Sequence, residues 1–143
     1  MTAILTRFGI QTSHDTELID ITERAREIVR GSGVEKGLAT VMTLHTTTAI
    51  TINEGLPDLE ADILEFLQAL APSDGSYRHA RFLHSDGQMA VNAPSHLRSA
   101  MLGMQVSLPI EDGEIVLGQR QTIYFVELDG PLYREAIVHV LGG

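Results

Sequence analysis

The chain has no cysteine and, in 143 residues, a single lysine, Lys36. Without cysteine there is no disulfide framework, no thiolate zinc site and no cysteine nucleophile. Any bound metal must therefore take His, Asp, Glu, Asn or water as its ligands. Basic residues number 10 against 19 acidic ones, a formal charge of −9 with histidine neutral. That balance argues against a general nucleic-acid surface, because phosphate contacts need clustered Lys and Arg. A local basic patch survives it, since Arg78, His79, Arg81 and Arg98 lie near one another in sequence. No apolar run approaches the roughly 20 residues of a membrane span. The start, MTAILTRFGI, lacks a charged segment followed by a long apolar one, so it does not read as a signal peptide. The expectation is a cytoplasmic chain that partners neither membrane nor nucleic acid. Glycine-rich phosphate loops, a G-x-S-x-G nucleophile elbow and an H-E-x-x-H zinc motif are absent as well.

What is present fits one domain over residues 1–143, with 43% hydrophobic and 20% charged residues. A chain of this length buries roughly 68–70% of its unfolded surface, enough for a core without staples. Ile4 to Thr12 alternates as a strand, and Leu18 to Ile21 suggests a second. Thr22 is positioned to cap a helix through Arg30, stopped by Gly31 and Gly33. Gly37 to Asn53 is dense in β-branched residues and reads as strand, with a bend at Thr46-Thr47-Thr48. Pro57-Asp58 opens a helix whose Leu59, Ile63, Phe66, Leu67 and Leu70 share one face, and Pro72 ends it. Residues 73–92 form an unusually long polar stretch, a length that is often functional. A short helix follows from Pro94 to Met101. The last forty residues read as successive strands, with a hairpin turn at Glu111-Asp112-Gly113. Strands with two to three inserted helices give an α+β class.

Six histidines occur, four of them between positions 45 and 96. Imidazole is the commonest protein metal ligand and titrates near neutral pH. A cluster of imidazoles beside Asp, Asn and Glu suits zinc or a similar divalent ion, although separate surface imidazoles would look the same in sequence. His45 ends an apolar strand, where sites are commonly assembled. The hydroxyls and N–H groups of Thr46 to Thr48 either bind an anion such as phosphate or simply suit a strand. Glu54 is either an acid/base or histidine-orienting group or a helix-start residue. His84 with Asp86, then Asn92 and His96, complete the candidates. His14 and His139 read as structural.

The string LHTTTAITINEGLPDLEADI, from Leu44 to Ile63, resembles the H-T-[ST]-x-x-[LI]-x-[LIV]-N-E segment of the YjbQ family. From Ala93 to Gly130 the chain resembles that family's second block: a histidine-bearing helix ending in L-G, a strand, a D-G hairpin and a G-T-W-Q strand. The resemblance runs over nearly the whole chain in order. It implies a small α+β protein with a curved, mixed or mostly antiparallel, partly closed sheet resembling a sandwich. It also implies a homotrimer with sites near the subunit boundaries. The implied activity is that of a thiamine-phosphate synthase, a transferase joining a hydroxymethylpyrimidine diphosphate to a thiazole phosphate with release of pyrophosphate. The family histidines fall on His45 and His96, its Asn-Glu on Asn53 and Glu54, and the polar residue before the second histidine on Asn92. The family's G-T-W-Q stands here as Gly118-Gln119-Arg120-Gln121, so Arg120 occupies the indole position while Gln121 is kept.

The resulting expectation is an enzyme acting on a phosphorylated small molecule. His45, Glu54 and His96 are its catalytic candidates. Thr46, Thr47, Asn53, Asn92, Arg98 and Gln121 contact substrate. His45, His84 and His96 hold a divalent metal, zinc or magnesium. The family's loop histidine matches His79 or His84, with His84 favoured because Asp86 follows it. The other reading is a non-catalytic trimer that binds a metal or a small anion.

Overall fold

The computed structural model describes residues 1–79, 82–83, 88–89 and 92–143. Ten strands and three helices appear among them. Their order is β1 (Thr2–Gln11), β2 (Glu17–Asp20), α1 (Thr22–Ser32), β3 (Lys36–Thr43), β4 (Thr48–Glu54) and α2 (Pro57–Leu70). There follow β5 (Phe82–Leu83), β6 (Gln88–Met89), α3 (Ala93–Leu102), β7 (Gln105–Glu111), β8 (Glu114–Ile115), β9 (Gln121–Glu127) and β10 (Tyr133–Gly142). One sheet runs β1-β10-β3-β7-β8 and a second runs β2-β9-β4, with β5-β6 a separate ribbon. Every pairing is antiparallel, which resolves the expected "mixed or mostly antiparallel" sheet in favour of the latter.

The layering follows from side-chain alternation along β9. Successive side chains of a strand point to opposite faces. Ile123 and Phe125 enter a core shared with Phe8, Ile10, Val41, Val138 and the α1 residues Ala25 and Val29. Tyr124, Val126 and Leu128 enter a second cluster with Ala49 and Leu67 of α2. The three-stranded sheet is therefore buried on both faces, by the larger sheet on one side and by α2 on the other. α3 lies along β4, with the Ser99 hydroxyl donating to Thr48 O at 2.6 Å.

The bend predicted at the threonine cluster is real. The chain leaves β3 in one sheet and enters β4 in the other, and the Thr43 and Thr48 hydroxyls lie 2.6 Å apart across the corner. The Asp112-Gly113 turn has φ of 51° and 78°, the two positive values that a tight hairpin of this type demands. One local expectation is corrected. Thr22 does not cap α1; the capping position is Ile21 without a side-chain bond. Instead Asp20 Oδ1 accepts the Thr22 N–H at 2.9 Å, while the Thr22 hydroxyl accepts the Ile123 N–H at 2.8 Å. On α2 only Leu67 of the predicted apolar face is buried, with Phe66 63% and Leu70 49% exposed. Among the described residues, α3 is the helix packed against α2.

Candidate functional site

The end of the fold where α3 begins gathers most of the chemistry. Ser95 donates to Leu128 O at 2.5 Å, which ties the first turn of α3 to the strand end after Glu127. Pro94 sits at the start of the helix, where its missing N–H costs nothing. His96 then projects beside His79, their rings 5.2 Å apart and nearly perpendicular. His79 Nε2 lies 3.1 Å from Asn92 Oδ1, and Asn92 Nδ2 donates to Asp129 Oδ2 at 2.9 Å. The amide thus fixes one imidazole and one carboxylate at once. His79, His96, Tyr77 and Leu97 border a cavity of about 470 Å³. A smaller polar cavity of about 190 Å³ is bordered by Asn92, Ser73, Arg98 and Asp129.

Below this surface lies a buried ion pair. Glu127, on the inward face of β9, meets Arg134, on the inward face of β10. Arg134 Nε donates to Glu127 Oε1 at 2.9 Å and Nη2 to Oε2 at 2.6 Å. The carboxylate also accepts from the Thr12 hydroxyl and from the Leu128 and Asp129 N–H groups. Burial works to raise the Glu127 carboxyl. The hydrogen bonds from Arg134, Thr12 and Asp129 outweigh it and hold the group below the usual carboxylate value. Arg134 Nη2 also donates to the Thr47 hydroxyl at 2.9 Å. Thr47 is thus spent on the core network, while Thr46 is exposed.

His45 stands at the β3–β4 corner. Its Nε2 accepts the Glu135 N–H at 2.8 Å. An accepting Nε2 bears no hydrogen, so the proton of the neutral ring sits on Nδ1. Burial, then the nearby Arg134 guanidinium, lower its pKa and favour that neutral form. Among the described residues no hydrogen bond or ring contact joins His45 to His96. Nor does any group of three or more His, Asp or Glu side chains there form a metal-holding cluster. With Nε2 engaged and Nδ1 protonated, His45 has no lone pair to offer a metal and presents a hydrogen-bond donor instead. His84, the third expected ligand, lies outside the described residues.

The remaining candidates sit at the other end of the smaller sheet. Thr48 pairs with Glu127 and Glu54 with Gln121, so six residues of strand, about 20 Å, separate the two ends. There Asn53 Oδ1 accepts the Glu54 N–H at 2.8 Å, Gln121 Oε1 accepts the Gly118 N–H at 2.7 Å, and Arg120 lies 3.6 Å from Glu54. Among the described residues these groups do not join His45, His79 or His96. Sequence reasoning passed over Glu127, Asp129 and Arg134. The available signal was a glutamate closing the apolar run TIYFVE, and an arginine leading the next strand.

Comparison with known proteins identifies the family to which this fold belongs. Residues 6–143 match the family described as UPF0047 protein YjbQ-like. The chain is 41% identical over 132 residues to a UPF0047 protein of Archaeoglobus fulgidus, covering 92% of this chain and 97% of that one. It is 32% identical over 140 residues to the UPF0047 protein YugU of Bacillus subtilis, covering 97% and 100%. A solved structure of a YbjQ-like protein of unknown function from Sulfolobus solfataricus superposes with a TM-score of 0.91 at 31% identity, covering 99% of each chain. A YjbQ/UPF0047 family protein from Clostridium acetobutylicum does so with a TM-score of 0.84 at 37% identity, covering 95% of this chain and 99% of that one. A single curled, antiparallel α+β domain with three helices, matched from end to end in this way, is a member of the YjbQ family.

Proposed function

We propose that the protein is a cytoplasmic enzyme that acts on a phosphorylated small molecule at the His79–His96 cavity, with thiamine-phosphate synthesis as the specific reaction. The observation that carries the reading is the chain His79–Asn92–Asp129 beside His96, on the rim of a cavity large enough for a heterocycle. In that reaction the thiazole nitrogen attacks the pyrimidine methylene carbon. A C–N bond forms, the C–O bond to diphosphate breaks, and pyrophosphate leaves with the electron pair. The work left to the protein is to hold both rings and to stabilise the charge on the leaving group. His96 would donate to it, while His79, whose Nε2–H is spent on Asn92 Oδ1, would be held by Asn92 against the bound rings. A divalent ion, zinc or magnesium, would supply further positive charge to the departing diphosphate. Its ligands would come from His96 with His79 or His84, not from His45.

The working form is a homotrimer. Phe66 and Leu70 of α2, with Leu97 and Met101 of α3, leave apolar side chains 46–66% exposed. Exposed apolar patches of this kind mark protein contacts. A second copy can also carry Asn53, Glu54 and Gln121 to the histidine end, which one chain cannot.

The test is formation of thiamine phosphate by the wild-type protein and by His79→Ala and His96→Ala. The expected loss is about 10²–10⁴-fold, the usual worth of a positioned proton donor. Equal rates in all three proteins overturn the reading. No product from wild type, together with saturable zinc or phosphate binding, supports the non-catalytic metal- or anion-binding trimer instead.

A further inference from the structure

The smaller cavity is bordered by a buried guanidinium that, among the described residues, has no carboxylate in ion-pair contact. Arg98 is 6% exposed, as buried as Arg134 at 5%. Arg134 has its carboxylate, Glu127, at 2.6 Å. Among the described residues no Asp or Glu lies within ion-pair distance of Arg98. Its Nε and Nη2 converge on a single carbonyl, Ala71 O, at 3.1 and 2.6 Å, and Nη2 also reaches the Ser73 hydroxyl at 3.2 Å. Nη1 finds no protein acceptor among the described residues. A buried guanidinium is normally paired, because desolvating an isolated charge is expensive.

The cavity beside it, about 190 Å³, is far larger than the roughly 30 Å³ share of one water. Its walls carry donors with no partner among the described residues. The Ser73 oxygen accepts from Arg98, so its own hydrogen is available. The Asn92 amide gives one hydrogen to Asp129 and keeps the other. Thr16 adds a hydroxyl. Ser95 does not count, since its hydrogen is committed to Leu128 O. Two carboxylates share the wall. Asp129 is held by Asn92, and Asp15 accepts the Thr16 N–H at 2.9 Å. They disfavour a bare dianion and favour an anion that also carries an O–H for them to accept.

We propose that this cavity is a phosphate-monoester subsite, with Arg98 as the charge partner, Ser73, Thr16 and Asn92 as donors, and Asp129 accepting the proton of the monoanion. Asn92 on its wall bonds His79 on the wall of the larger cavity, so the phosphate lies here while the organic part of the ligand lies against His79 and His96. That second half rests on the reading given under Proposed function; the binding of phosphate does not.

The probe is inorganic phosphate, titrated calorimetrically into the full chain at pH 6.5 in chloride buffer. Wild type binds saturably. Arg98→Gln weakens binding at least about tenfold, the loss of one charge-assisted hydrogen bond. Ser73→Ala, at an exposed position, weakens it roughly threefold, a neutral hydrogen bond's worth. Arg7→Gln, which removes an exposed charge elsewhere, leaves it unchanged. Should Arg98→Gln fail to fold by circular dichroism, Ser73→Ala and Thr16→Val decide. No saturable binding by wild type, or equal affinity in the variants, overturns the subsite. Arg98-dependent phosphate binding without thiamine phosphate formation leaves the subsite standing and removes the catalytic reading. Product formation that needs His96 and ignores Arg98 and Ser73 does the reverse.

Discussion

Replacing Arg134 with methionine strips Glu127 of its countercharge at a position with no solvent exposure. Methionine preserves much of the side-chain length, so the change is mainly one of charge and hydrogen bonding. The carboxylate keeps the Thr12 hydroxyl and the Leu128 and Asp129 N–H groups. It loses both bonds of the bidentate pair, and Thr47 loses its donor. Breaking a buried pair by removing one partner costs about 3–5 kcal/mol. In a chain of this size that lowers the melting temperature by roughly 10–20 °C.

The pH dependence sharpens the test. In wild type the Glu127 carboxyl is held below its ordinary value of 4.5. A depressed carboxyl contributes stability that is present above the unfolded value and is lost as the pH falls through the folded one. In the variant the buried, unpaired carboxylate rises in pKa. Its penalty is then largest near pH 8 and is relieved as acid protonates it. Urea unfolding followed by circular dichroism at pH 7.5 and 5.5 reads both effects. A loss under about 1 kcal/mol at pH 7.5, or a deficit that grows on acidification, refutes the argument that the pair neutralises a buried charge.

Nitrogen-15 spectra of the histidine rings should show His45 neutral at pH 7 with its proton on Nδ1, titrating below the ordinary 6.5. Its share of stability then declines as the pH drops from that ordinary value. A proton on Nε2 contradicts the Glu135 bond and returns the ring to the list of metal ligands. Light scattering should report a trimer that Phe66→Glu with Met101→Glu converts to monomer. Both side chains are more than half exposed in the single chain, so the monomer should keep its secondary structure. A trimer that persists in this double variant removes the α2–α3 face from the interface.

The parts of the fold legible in the sequence were those set by local chemistry. Asp112-Gly113 is a strong tight-turn signal, Pro57 and Pro94 suit the first turn of a helix, and the threonine cluster broke the long β-branched run where the chain changes sheets. Thr22 misled because its hydroxyl serves a strand a hundred residues away, at Ile123, rather than its own helix. The apolar face of α2 has the periodicity that the sequence shows, but among the described residues only part of it is buried.

The site was harder to read for the same reason on a larger scale. His84, favoured in sequence because Asp86 follows it, lies outside the described residues. The distance that matters for His79 is to Asn92, thirteen residues away. Glu127 gave almost no sequence signal, since a glutamate after IYFV looks like a strand running out into solvent. It is recognised as buried only when β10 is laid across the core and delivers Arg134. The Asn53-Glu54 and His96 motifs are neighbours in the order of the family's blocks, yet a β-strand of about 20 Å holds them apart in the folded chain. Strands do not shorten. Two motifs fixed at opposite ends of the same three-stranded sheet can therefore serve one reaction only if a second copy turns its far end toward the first copy's near end. The half-used face of α2 beside α3 is the surface by which such a copy would be held.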